Sequence, residues 1–122
     1  MIGRVTPAPE ALITLKIRGA SNREIEVQAV IDTGFTDYLT LPHSIIDDLR
    51  LTFVDTSECE LADGQIVNME SFQATVLWHG LPREIVVLAA DGDPLVGMSL
   101  LYQSRLMIDV LDDGVVSIEP IG

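Results

Sequence analysis

Short segments of strict period-two alternation, each closed by turn residues, recur along this chain and restrict it to a sheet-built fold. From Ala11 to Arg18, Ile13, Leu15 and Ile17 fall on one face and Thr14, Lys16 and Arg18 on the other. Gly19-Ala20-Ser21-Asn22 supplies the turn, and Arg23 to Ile31 alternates again, with Ile25, Val27, Ala29 and Ile31 on the apolar side, so a β-hairpin is expected. Leu51 to Leu61 and a returning arm as far as Trp78 flank the turn signal Ala62-Asp63-Gly64-Gln65, which predicts a second, long hairpin. A strand is expected over Arg83 to Ala90, and a last hairpin from Arg105 to Leu111 and Val115 to Ile118 across Asp112-Asp113-Gly114. Only Pro42 to Arg50 and Met98 to Tyr102 read as short helices, the first opened by a proline that costs little at a helix start. About eight strands, mostly antiparallel, with one or two helices point to an all-β fold, a small closed or partly closed β-barrel.

The chain has 122 residues, of which 48% are hydrophobic and 21% charged, enough for one core and too few for two. Its formal charge of −12 repels phosphate backbones and anionic head groups, so neither nucleic acid nor a membrane surface is an expected partner. Residues 1–12 hold two prolines and no apolar run of the kind a secretory signal needs, and no stretch is long enough to cross a bilayer. Cys59 is the single cysteine, which forbids an internal disulfide and leaves the cytoplasm as the expected compartment.

Asp32-Thr33-Gly34 carries the most chemical weight. It follows a strand with a buried face and precedes a second apolar segment, Tyr38 to Leu41, so a tight loop must set a carboxylate against a region of low dielectric. Gly34 lets the backbone turn toward that carboxylate, and the Thr33 hydroxyl can donate or accept. An isolated tripeptide of this kind is more often an ordinary turn with a solvated aspartate.

The wider pattern resembles the retropepsin-like aspartic proteases, in particular their small bacterial single-domain members. Val30 to Pro42, containing Asp32-Thr33-Gly34, is similar to the family's active-site segment, and Pro94-Leu95-Val96-Gly97-Met98-Ser99-Leu100-Leu101 to its second signature, two apolar residues and a glycine leading into a short helix. Between them, the Ala62 to Gln65 turn falls where the family places its flap. The resemblance spans roughly residues 11 to 119; it implies an acid-protease domain over 11–122 behind an N-terminal extension over 1–10. It also implies catalytic roles for Asp32, Thr33 and Gly34, substrate contacts from Ala62, Asp63, Gly64, Gln65 and Ile66, and a Thr33 hydrogen bond across a dimer axis.

The chemistry agrees with a dimer. Peptide hydrolysis by carboxylates alone needs two of them sharing a proton, one as base toward water and the other as donor to the carbonyl oxygen. The other Asp-Gly pairs, at Asp63, Asp91 and Asp113, lack the threonine and sit at turns, so the second acid is expected from Asp32 of another copy beside a two-fold axis. The expected function is therefore a homodimeric aspartic endopeptidase acting on extended peptide or protein substrates. The alternatives are a catalytically weak or inactive dimeric peptide-binding scaffold of the same fold, and a monomeric barrel that meets basic partners with its acidic surface. The tail hairpin, Arg105 to Ile118, is the expected source of strands for the dimer seam.

The remaining candidates read as structural. Phe35 is bulkier than the residue many aspartic proteases carry after the glycine, and the flap candidate has no aromatic at its tip, leaving Ile66 and Met69 as its apolar groups. His43 and His79 have no ligating neighbour in sequence and are expected at the surface, and Cys59 has no cationic neighbour to activate it. Asp91 and Asp93 fit a solvated turn better than a calcium loop, and Trp78 reads as a core or interface residue. No metal and no cofactor are expected.

Overall fold

The computed structural model describes residues 1–122. The alternating segments form ten strands: β1 (Ile2–Val5), β2 (Ala11–Arg18), β3 (Glu24–Ile31), β4 (Leu39–Leu41), β5 (Thr52–Glu60), β6 (Ile66–Trp78), β7 (Leu81–Ala89), β8 (Leu95–Val96), β9 (Ser104–Ile108) and β10 (Val115–Pro120). Two helices, α1 (His43–Leu49) and α2 (Met98–Leu101), interrupt them, and neither is long or apolar enough to cross a membrane.

The strands share one sheet, in the order β5-β6-β7-β4-β8-β3-β2-β1-β10-β9. A further pairing of Ile17 with Val76 and Arg18 with Thr75 brings β2 back onto β6, closing six strands into a ring. Two appendages leave it. On one side the β5–β6 hairpin runs on past the point where β7 stops at Ser71; on the other, β1, β10 and β9 continue the sheet beyond β2.

The apolar sides of the strands meet inside the ring. Ile13, Leu15 and Ile17 of β2, Val27 and Ala29 of β3, Ala74, Val76 and Trp78 of β6 and Ile85 and Val87 of β7 are buried together with Ile46, Leu49, Leu100 and Leu101 from the helices. Each fully buried branched side chain contributes about 1.5–3 kcal/mol by leaving water, so alternation sets the register as well as the core. Pro42 caps α1 and Arg50 ends it in the left-handed region at φ 52°, turning the chain into β5.

Residues 1–10, read from sequence as an extension, contribute β1, which lies between β10 and β2 and buries Val5. Gly3 makes this possible: a Cβ there would stand 1.9 Å from the Leu12 carbonyl oxygen. A four-residue strand is too short to show periodicity, and Pro7 and Pro9 mask it.

His79 is also less exposed than its turn position implies. Its Nε2 lies 2.9 Å from Ser104 Oγ, its ring packs against Trp78 with centroids 5.4 Å apart, and its backbone N–H reaches Met1 Sδ. Burial, then the charges of the Met1 ammonium and Arg83, hold its pKa below the ordinary value of 6.5. The unfolded chain thus takes up the proton first. The stability tied to neutral His79 is complete above about pH 6.5 and drains away as pH falls through the lower folded value. Urea midpoints measured between pH 7.5 and 5 are expected to fall more steeply for the parent than for His79→Gln; parallel curves would contradict this account.

Candidate active site

The Asp32 loop is built from the strand that precedes it and the signature that follows much later. β3 ends at Ile31, paired in parallel with Val96, and the next backbone group, Asp32 N–H, donates to Val96 O at 2.9 Å. β8 is therefore wedged between β3 and β4, parallel to the first and antiparallel to the second. Thr40, on β4, is buried on both faces of the sheet and accepts the Leu95 N–H through its hydroxyl at 2.9 Å. This satisfies a donor that the short β8 leaves without a strand partner.

From Asp32 to Tyr38 the chain loops out and returns. Gly34 N–H donates to Asp32 Oδ1 at 3.0 Å and Phe35 N–H to Asp32 O at 3.1 Å, so the turn closes on its own aspartate. The start of α2 holds the far side. Gly97 N–H donates to Tyr38 O at 3.0 Å, Met98 N–H to Phe35 O at 2.8 Å and Ser99 N–H to Asp37 O at 3.3 Å, while the Ser99 hydroxyl donates to Thr36 O at 2.5 Å. Gly97 is buried, and a Cβ there would lie 2.1 Å from Asp37 O and 2.6 Å from the Phe35 ring. The bulky Phe35 thus packs onto the glycine of the second signature.

Asp32 itself is half-buried; Thr33 and Gly34 are exposed. The Gly34 N–H is the only side-chain hydrogen-bond partner of Asp32, and no cation pairs with it. A carboxylate with one fixed donor keeps lone pairs free for a water molecule or a second acid. None of the surface depressions of the single chain is lined by Asp32.

Ala62 to Ile66 stand at the far end of the long hairpin. Leu61 N–H donates to Gln65 O at 2.7 Å, Gly64 N–H to Leu61 O at 2.9 Å and Gln65 N–H to Asp63 Oδ1 at 3.0 Å; Gly64 supplies the positive φ of 86°. All five residues are exposed, and no hydrogen bond joins them to the Asp32 loop. The hairpin is held only at its root, where Phe53 and Phe72 meet edge to face at 5.7 Å and His43 Nε2 approaches Glu70 Oε1 at 3.3 Å. The sheet face that buries Trp78, Val76 and Ala74 continues along β6 as Phe72, Glu70, Asn68 and Ile66, so Ile66 lies on the inner side and Met69, half-buried, on the other.

Three supporting groups escape sequence reasoning: Thr40, Ser99 and Arg83. Arg83 donates to Leu100 O at 3.3 Å and sits 5.6 Å from the Tyr38 ring centroid, tying β7 to both arms of the loop. Only Ser99 carried a signal, as the polar residue directly after Gly97-Met98.

Two solved structures share this fold. A retropepsin-like aspartic protease from Rickettsia conorii superposes with a TM-score of 0.65 at 17% identity, over 100% of this chain and 91% of that one. EIAV protease complexed with the inhibitor HBY-793 superposes with a TM-score of 0.57 at 16% identity, covering 78% of this chain and 88% of its own. No family model and no curated protein matches the chain by sequence. The fold is retropepsin-like.

The clamp on the loop makes a graded prediction. Gly97→Ala sets a Cβ against a backbone oxygen that cannot swing aside and is expected to cost at least about 2 kcal/mol. Ser99→Ala removes one hydrogen bond and is expected to cost about 1 kcal/mol. Equal midpoints for Gly97→Ala and the parent in urea unfolding would contradict the interlock.

Proposed function

We propose that the retropepsin-like chain is one half of an aspartic endopeptidase, with the catalytic dyad formed by Asp32 of two copies across a two-fold axis. The observation that carries this reading is the placement of Asp32: a half-buried carboxylate at a strand end, oriented by the Gly34 N–H, backed by Val96 and braced from beneath by α2. The two solved structures of this fold, described as proteases, support the same assignment.

Within such a dyad one carboxylate stays ionised and takes a proton from a shared water, while the other, protonated, donates to the scissile carbonyl oxygen. The water oxygen attacks the carbonyl carbon to give a tetrahedral intermediate. Collapse then transfers a proton to the leaving nitrogen and breaks the C–N bond, regenerating the singly protonated pair. Thr33 and Gly34 keep the two loops in register. The hairpin tip, Ala62 to Ile66, closes over the peptide, which pairs by its main chain as an added strand. Ile66, exposed on the inner side, provides an apolar contact for residues flanking the cut.

Two carboxylates about 3 Å apart cannot both ionise readily, so the pair titrates as a unit and the rate should trace a bell on the acidic side of neutrality. Asp32→Asn is expected to lower cleavage of an apolar peptide library by about a thousandfold or more while leaving the assembly unchanged. Equal turnover by variant and parent would overturn the assignment; peptide binding without turnover by the parent, with the dimer intact, would establish the scaffold reading instead.

A further inference from the structure

We propose that the peptide taken by this site is a basic one: an extended segment with lysine or arginine at two positions two residues apart, laid along the open edge of β5 against Glu58 and Glu60. This rests on the endopeptidase reading above and names its substrate class.

β5 ends the sheet, so one of its edges has no strand beside it. Leu61 N–H donates to Gln65 O, and along the same ladder Glu60 pairs with Ile66, Glu58 with Asn68 and Thr56 with Glu70. Bonded and open positions alternate in an antiparallel pair. Ser57, Cys59 and Leu61 therefore bond toward β6, while Thr56, Glu58 and Glu60 turn their N–H and C=O groups to the open edge. The bulge between Phe53 and Asp55 lies before this stretch and leaves its register intact. A peptide strand added here takes its main-chain bonds from the two glutamates themselves. Its side chains alternate between the faces, so the two that lie beside Glu58 and Glu60 are spaced by two residues. Directly opposed side chains share a face, which sets Glu58, Glu60 and Glu70 on the face of Ile66, the side turned toward the peptide.

Charge decides which strand can occupy the edge. Glu58 and Glu60 are exposed and have no ion-pair partner in their own chain. No lysine or arginine occurs between Arg50 and Arg83, so nothing on the hairpin offsets them. None occurs between Arg23 and Arg50 either, the stretch that holds the Asp32 loop. The bases that do occur are engaged elsewhere: Arg4, Lys16 and Arg18 each pair with an acid, and Arg23 and Arg83 donate to Asp48 O and Leu100 O. A second β5 strand, or an acidic peptide, would set carboxylate against carboxylate. A neutral peptide gains the main-chain bonds alone. Only lysine or arginine at the paired positions adds an attraction to those bonds.

Matched peptides test the assignment: an apolar pair at the centre and, scanned outward along both flanks, two lysines, two glutamines or two glutamates placed two residues apart. At the best position the parent is expected to cleave the lysine peptide with a kcat/KM about tenfold above the glutamate peptide. The glutamine peptide should fall between them, and the spread should narrow at high salt. Moving the lysines to adjacent positions puts one on the opposite face and is expected to reduce the advantage to about threefold. In Glu58→Lys/Glu60→Lys the order is expected to reverse, a ranking within one variant that misfolding or a general loss of activity cannot imitate. Equal cleavage of the three peptides by the parent, or an unreversed order in the double variant, would overturn the edge assignment and leave the endopeptidase standing. If the parent cleaves none of them, fluorescence anisotropy with the same peptides, labelled, decides. Tighter binding of the lysine peptide would support the edge and overturn hydrolysis, whereas equal or absent binding would overturn both.

Discussion

The structure depends on one interlock, in which a two-residue strand from the second half of the chain is wedged beside the strand that ends at the aspartate. Asp32 N–H bonds to Val96 O, and the residues just after Val96 reach under the same loop to bond Phe35, Thr36, Asp37 and Tyr38. Segments far apart in sequence thus share one hydrogen-bonded unit. The loop lacks freedom to relax, because its carbonyls are already occupied by α2 and its interior is filled where Gly97 touches Phe35. The loop's rigidity comes from backbone donors, with no cation paired to Asp32.

The two appendages of the ring follow from the same economy of partners. The long hairpin leaves the ring once β7 and β2 no longer accompany it, and beyond Phe72 nearly every residue faces water. Such an element has few buried contacts to oppose opening. The strands β1, β10 and β9, by contrast, bury Val5, Val116 and Ile118 against the ring and present their outer edge without a bulge. One outer edge is acidic and bulged, and the other runs straight.

Much of this was legible in the residues. Alternation in β2, β3 and the long hairpin located the core face, because burial on one side of a pleated strand imposes period two. The Asp32 and Gly97 segments marked the interlock, although only their resemblance to a family tied them together. What stayed hidden was short or irregular. β1 offers four residues before two prolines, and β4 is buried on both faces, so Thr40 breaks an alternation that no longer applies. Arg83 reads as a surface residue of β7 until the fold lays it across Leu100 and Tyr38. His79 acquires its partners from Met1 and Ser104, far from it in sequence on either side, which no local pattern could foretell.

The central claim is that neither copy holds a complete site. It is tested most directly by mixing parent chains with Asp32→Asn chains in varying proportion, allowing exchange, and following peptide cleavage at constant total protein. If each site needs both aspartates, activity follows the square of the parent fraction, because every mixed dimer is dead. If activity falls in simple proportion to the parent fraction, each chain works alone and the shared dyad is wrong.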